Sequence, residues 1–287
     1  MSSLTITTIQ TGVQWEDKCA NLKRLEQRIL AIPEPTELVV LPEMFSTGFS
    51  MRPQKLAERM DGPTLAWMQE IAARQKIILT GSVIIEEEGN YYNRLIWMLP
   101  NGQYGSYDKR HRFAYAGEHE QYTAGHKRLI ASVKGWRVLL LVCYDLRFPV
   151  WSRQTTRREP EAGPTLDPQV SKVQRQGESA ESADLEYDLL VYVANWPESR
   201  SHAWKTLLQA RAIENQCFVT GVNRIGDDGN KIYHGGDTMI VGPLGEILYN
   251  AGANDEAFTL TLRKDDLVRV RERFPFWRDA DQFSIEP

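Results

Sequence analysis

The chain is 287 residues long and poor in cysteine, with only Cys19, Cys143 and Cys217, widely spaced and odd in number. That excludes a disulfide framework and points to a reducing compartment, the cytoplasm. No run approaches the ~18 consecutive apolar residues that a membrane helix needs. The opening MSSLTITTIQ lacks the basic and apolar regions of a secretory signal. Excess positive charge is missing too. A net charge of −4 offers no electrostatic capture of nucleic acid or anionic lipid. What is present is 42% hydrophobic and 25% charged residues, the balance of a single large α/β core.

Strand-like and helical stretches alternate along the chain. ITTIQ reads as a short strand, and residues 15–30 place Cys19, Leu22, Leu25 and Ile29 at helical spacing on one apolar face. ELVVLPE (37–43) is a short buried run stopped by Pro42-Glu43. A second amphipathic helix carries Leu65, Met68, Ile71 and Ala72 behind Gly62-Pro63-Thr64. The runs at 77–85, 92–100 and 102–109 follow, the last two joined as a hairpin by Pro100-Asn101-Gly102.

The second half repeats the theme, with strands at 136–143, 188–196 and 217–224, a helix at 202–216, a Gly-Pro-Leu-Gly turn at 242–245 and a basic helix from Lys264 to Phe276. Near-continuous apolar strands indicate sheets covered on both faces, which describes a layered α/β sandwich of two similar halves. Residues 154–186 stand apart. They are rich in Arg, Gln, Glu, Ser, Pro and Gly, a composition that buries too little to offset ordering entropy, and they read as a flexible surface insertion.

Three strand-like runs end in a reactive residue: Glu43, Lys109 and Cys143. Ligands in α/β sheets bind beyond the carboxyl ends of strands, so these ends can gather a carboxylate, an ammonium and a thiol. A thiol near its usual pKa of about 8.5 is mostly protonated at neutral pH and needs a base or a positive field to attack. The carboxylate can take its proton. The ammonium, with backbone N–H groups of the turn at Tyr144 and Asp145, can stabilise an oxyanion. Taken one at a time, each residue also has a plainer reading: a capping glutamate, a surface lysine, a packed cysteine. Cys19 and Cys217 are expected in the core. His111, His119, His126, His202 and His234 match no zinc pattern, though one of the first three could serve as base in a Cys–His hydrolase.

Five motifs in order resemble the nitrilase superfamily of carbon–nitrogen hydrolases: LVVLPEMFSTGF (38–49), YDKRHRF (107–113), LVCYDLRFP (141–149), YVANWP (192–197) and ARAIENQ (210–216). The strings CYDLRFPVWSR and YVANWP are similar to the omega-amidase branch. The resemblance spans nearly the whole chain apart from 154–186. It implies one carbon–nitrogen hydrolase domain over 1–287, folded as an α/β four-layer αββα sandwich, with a C-terminal helix and tail at 264–287.

The resemblance further implies a catalytic Glu43, Lys109 and Cys143, with Glu118 as a second glutamate (Glu120 is its near neighbour). It implies no metal, no cofactor, and assembly as a homodimer or higher homo-oligomer. The activity it implies is hydrolysis of the terminal amide of α-keto acid monoamides, such as 2-oxoglutaramate and 2-oxosuccinamate, to the keto acid and ammonia through a cysteine thioester. Tyr144 would donate its N–H to the oxyanion. Arg147 and Arg112 are candidates for a substrate carboxylate, Arg147 having the alternative of a structural anchor pairing with Asp145 or another acid. Phe45, Tyr115 and Trp196 are candidate pocket walls, with core packing as the alternative. Rival readings are another small amide, an N-carbamoyl compound, deaminated glutathione or a nitrile; a Cys–His hydrolase; or a non-catalytic binding protein.

Overall fold

The computed structural model describes residues 2–155, 185–281 and 283–285. Most of the expected insertion, 156–184, therefore lies outside the described residues. Its two ends are packed: Gln154 and Leu185 are buried, and the Gln154 N–H donates to the Asn215 side chain.

The first half runs β1 (Ser3–Gln10), α1 (Lys18–Leu30), β2 (Leu38–Val40), α2 (Pro53–Leu56), α3 (Pro63–Gln75), β3 (Ile78–Glu87), β4 (Asn90–Met98), β5 (Tyr104–Asp108) and α4 (Glu118–Gln121). Next come β6 (Leu129–Val133), β7 (Trp136–Val142), α5 (Pro149–Ser152), β8 (Leu189–Val193) and α6 (Ser201–Asn215). The chain continues through β9 (Phe218–Val222), β10 (Ile225–Asp227), β11 (Tyr233–Gly235), β12 (Met239–Val241), β13 (Ile247–Asn250), β14 (Glu256–Arg263) and α7 (Lys264–Arg273). No helix among the described residues is long and apolar enough to cross a membrane.

Two six-stranded sheets result, in the orders β14-β1-β2-β3-β4-β5 and β13-β12-β9-β8-β7-β6. Each has a parallel trio at its heart, β1-β2-β3 in one and β7-β8-β9 in the other, flanked by antiparallel partners. The sheets meet face to face. Leu38 and Val40 of β2 point into the core shared with β7 and β8, while Val39 and Leu41 pack with Leu25, Ile29, Leu65 and Met68 of α1 and α3. Period-two alternation with both faces covered explains why the strands read as unbroken apolar runs. On the far side Trp204, Leu208 and Ala212 of α6 join the core against β9. Gly221 allows that approach, because a Cβ there would sit 2.5 Å from a Leu208 methyl. The layers are α, β, β, α, as the resemblance implies.

Some expectations need correction. The first helix starts at Lys18, where Asp17 caps the Ala20 N–H at 3.0 Å, and Cys19 is exposed on its first turn. The buried polar residue of that helix is Asn21, whose side chain donates to the Gln14 and Ser46 carbonyls. Hydrophobic spacing cannot register such a residue. Cys217 is buried, as expected. The C-terminal helix ends at Arg273, short of Phe276.

Below the second sheet a buried carboxylate ties α7 to the core. Asp188 is fully buried and lies 3.2 Å from Arg137 and Arg271 and 3.3 Å from Lys264. Burial alone would raise its pKa, but the three cations hold it down to about 2. The folded value lies below the unfolded one, so the carboxylate stabilises the fold at neutral pH and that contribution fades as pH falls toward 2. Asp188→Asn should cost on the order of 3–5 kcal/mol in urea unfolding at pH 7. The gap from wild type should narrow as the measurement moves down through pH 4 toward pH 2.

Candidate active site

Four strand ends deliver the cluster. Glu43 leaves β2, Asn195 leaves β8, and these are the middle strands of the two parallel trios. They occupy matching places in the two halves and meet between the sheets: the Asn195 N–H donates to Glu43 Oε2 at 2.8 Å, and its side-chain amide donates to the Glu43 carbonyl at 2.6 Å. Cys143 follows β7 and Lys109 follows β5. The chain turns sharply just after Glu43 and at Cys143 itself, with φ +43° at Met44 and +45° at Cys143. A non-glycine residue in the left-handed region carries strain that persists only where its surroundings over-determine it.

The Lys109 ammonium is clasped by two carboxylates, 2.9 Å from Glu43 Oε1 and 2.9 and 3.0 Å from the two oxygens of Glu118. All three side chains are essentially sealed from solvent. The remaining valences are filled by Asn93, whose amide donates to Glu43 at 2.8 Å and to Glu118 at 3.3 Å, and by the Phe113 N–H, which donates to Glu118. Glu120, by contrast, is exposed, so Glu118 is the glutamate that reaches the lysine. Burial works against the Lys109 charge, yet the two carboxylates hold its pKa above the ordinary lysine value. Glu118 goes up, through burial and the neighbouring Glu43 charge against the pull of Lys109. The Cys143 thiol is pushed well up by burial and by Glu43, with Lys109 opposing. At rest it holds its proton.

A second network locks the lysine segment to the cysteine turn. Asp145, fully buried, accepts from the Tyr107 hydroxyl at 2.8 Å, the Val142 N–H at 3.0 Å and the His111 N–H at 3.0 Å, with His111 Nδ1 at 2.8 Å. Trp151 Nε1–H in turn donates to the Tyr107 hydroxyl, and His111 stacks on Phe148 at 3.9 Å between ring centroids. From the helix side, Arg211 donates to the Leu146 carbonyl at 2.6 Å.

Cys143 opens into a cavity of about 660 Å³, mouth included, lined by Phe49, Met51, Phe113, Tyr144, Trp196 and Ile232 among others. Of the residues expected from sequence, the fold brings Tyr144, Trp196 and Arg147 to this pocket. It does not bring the other three. Phe45 is fully buried in the core between β3 and α3. Tyr115 is 89% exposed, and Phe113 takes the wall position instead. Arg112 folds back onto its own loop, donating to the Tyr122 carbonyl at 3.0 Å. Arg147 does not pair with Asp145, which is already saturated, and lies over the Trp196 ring. His111 is committed to Asp145, His119 and His126 are exposed, and His234 is the one histidine at the pocket wall. Burial, then Arg224, lowers His234 to about 4, so it is neutral at pH 7.

Asn93, Asn195 and Arg200 were not anticipated. YVANWP contains Asn195, but its partner lies on the other sheet. Asn93 stands beside Arg94 in β4, ahead of the apolar Leu95–Met98 run, and becomes a specific signal only once a carboxylate is known to face it.

Fold and cluster together define a class: an αββα sandwich with a thiol, a lysine and two glutamates at the junction of its sheets. The carbon–nitrogen hydrolase family matches residues 5–272, and the chain belongs to that family. It is similar to omega-amidase YafV of Escherichia coli K12, 39% identical over 99% of this chain and 100% of that one. It is also similar to 2-oxoglutaramate amidase of Bacillus subtilis 168, 27% identical over 96% of both. Among solved structures, the Xanthomonas campestris superfamily protein XC1258, with an arsenic adduct in its active site, is 40% identical over the whole of both chains with a TM-score of 0.88. Saccharomyces cerevisiae Nit3 shares the fold at 22% identity, covering 95% of this chain and 94% of its own, with a TM-score of 0.78. The protein is accordingly a hydrolase of carbon–nitrogen bonds other than peptide bonds.

Gly125 tests how tightly Lys109 is held. Its N–H donates to the Lys109 carbonyl at 3.0 Å, and a Cβ there would lie 2.0 Å from the Asp108 carbonyl oxygen. Gly125→Ala must move the backbone next to Lys109, and a shift near 1 Å typically costs on the order of 10²-fold in rate. Steady-state kinetics should show that loss in kcat.

Proposed function

We propose that this protein is an omega-amidase, hydrolysing the terminal amide of α-keto acid monoamides such as 2-oxoglutaramate and 2-oxosuccinamate. The observation that carries the reading is the junction itself: the Cys143 thiol lies within the field of Glu43, Lys109 and Glu118 at the floor of a pocket whose rim presents Arg147. The names of the Escherichia coli and Bacillus subtilis relatives support the same substrate class.

Because the thiol rests protonated, attack requires a base, and Glu43 is in place to accept the proton as sulfur bonds to the amide carbonyl. The developing oxyanion is met by the Lys109 ammonium and the Tyr144 N–H. Glu43 returns the proton to the nitrogen, the carbon–nitrogen bond breaks, and ammonia leaves a thioester on Cys143. Water then gives a proton to Glu43, with Glu118 fixing the Lys109 charge, and attacks the thioester. The carbon–sulfur bond breaks, the keto acid is released, and Glu43 reprotonates the thiolate. Trp196 forms a wall of the pocket, and Arg147 is the cation offered to the substrate carboxylate.

We extend the proposal to assembly as a homodimer, which would cover exposed apolar side chains such as Val150, Ile213 and Leu244; a monomer in light scattering contradicts that extension. For the chemistry, ammonia release decides. Cys143→Ala should abolish turnover, Glu43→Gln should lower kcat by at least about 10²-fold, and His119→Ala and His126→Ala should leave it unchanged. If 2-oxoglutaramate turns over no better than glutamine or a simple nitrile, the substrate assignment fails. If Glu43→Gln keeps full activity, the base is another group.

A further inference from the structure

Two guanidinium groups face the cavity above Cys143: Arg147, which follows the cysteine turn, and Arg200, at the start of α6. The Arg147 Cζ lies 5.1 Å from the centroid of the Trp196 ring, and the Arg200 Cζ lies 5.1 Å from that of Phe113. Trp196 is itself fixed, its Nε1–H donating to the Arg200 carbonyl at 2.9 Å and its backbone N–H to the Asn223 side chain at 2.8 Å. The ring that supports Arg147 is thus tied to the backbone of Arg200.

Among the described residues neither guanidinium has an acidic partner or a side-chain hydrogen bond. Elsewhere the chain pairs its arginines readily, as with Arg94 and Asp108, Arg128 and Glu186, and Arg137 and Asp188. The acid that lines the cavity, Asp228, is engaged by its own hairpin: one carboxylate oxygen accepts from the Asn230 N–H at 2.7 Å and the Ile232 N–H at 2.9 Å. A guanidinium lying against a ring keeps its planar edge of N–H donors available, and it has donors only.

We propose that Arg147 and Arg200 form one receptor for the 2-oxo-carboxylate end of the substrate, which makes Arg200 a specificity-determining residue for the reaction. The inference rests on the amide-hydrolase reading of the site. A 2-oxo acid presents a carboxylate and an adjacent carbonyl oxygen, all acceptors, matching two donor-only forks. An amino acid amide such as glutamine would place an ammonium beside two cations, a like-charge arrangement that a specific site uses for rejection. A neutral amide gains nothing from either arginine.

The test compares kcat/KM for 2-oxoglutaramate, glutamine and 4-oxopentanamide, in which a methyl group replaces the carboxylate, in wild type, Arg200→Gln, Arg200→Lys and Arg147→Gln. Wild type should prefer 2-oxoglutaramate over both others. Arg200→Gln should shrink the 2-oxoglutaramate to 4-oxopentanamide ratio about 10- to 100-fold, the usual worth of a hydrogen bond to a charged group. Most of that change should lie in KM, as for binding shared by ground and transition states. Arg200→Lys should restore part of the ratio, and product inhibition by 2-oxoglutarate should weaken in parallel. A wild-type preference that survives unchanged in Arg200→Gln overturns the receptor and leaves the function standing. A wild type without that preference overturns both.

Discussion

A single ammonium held between two carboxylates, with no water to screen it, is the constraint on which the rest of the site depends. Lys109, Glu43 and Glu118 are sealed between the sheets, where an uncompensated charge is severely costly. One cation cannot neutralise two anions, so the cluster needs every donor within reach: the Asn93 amide, the Asn195 N–H and the Phe113 N–H. Each donor comes from a different segment. The arrangement is therefore a consequence of the whole fold, and it exists only when both sheets are closed on one another.

This closure also explains the resting state of the Cys143 thiol. Glu43 raises the Cys143 pKa while Lys109 opposes it, with burial the larger effect. A thiolate formed in advance would add a third negative charge to the cluster. In the proposed mechanism a proton passing from sulfur to Glu43 as the carbonyl is attacked avoids that state, and the charge would develop on the substrate oxygen, beside the ammonium. The positive φ at Cys143 and the Asp145 network hold the thiol at the pocket floor against local backbone preference.

The reactive ends of the strands were legible as a set, because Glu43 after Pro42, Lys109 after β5 and Cys143 after β7 each close a strand-like run, whereas a cysteine alone reads as readily as core packing. The layers were legible through strands apolar on both faces. What sequence could not supply was side-chain direction in the loops. Phe113 and Tyr115 stand two residues apart on one turn, and only the first faces the pocket. Arg112 sits inside a motif yet serves its own loop, whereas Arg200 lies outside every quoted motif and reaches the cavity because α6 begins there. Asn93 and Asn195 gain meaning only from partners brought to them by tertiary contacts.

The central claim is that Cys143 carries the acyl group through turnover, with Glu43 moving the proton. Rapid quenching during turnover of 2-oxoglutaramate, followed by intact-mass and peptide mass spectrometry, tests it most directly. The account predicts a 2-oxoglutaryl thioester on the peptide containing Cys143, accumulating under steady state and absent in Cys143→Ala. An acyl group on Cys19, Cys217 or a non-cysteine residue, or turnover with no trapped adduct in wild type and undiminished rate in Cys143→Ala, would contradict it.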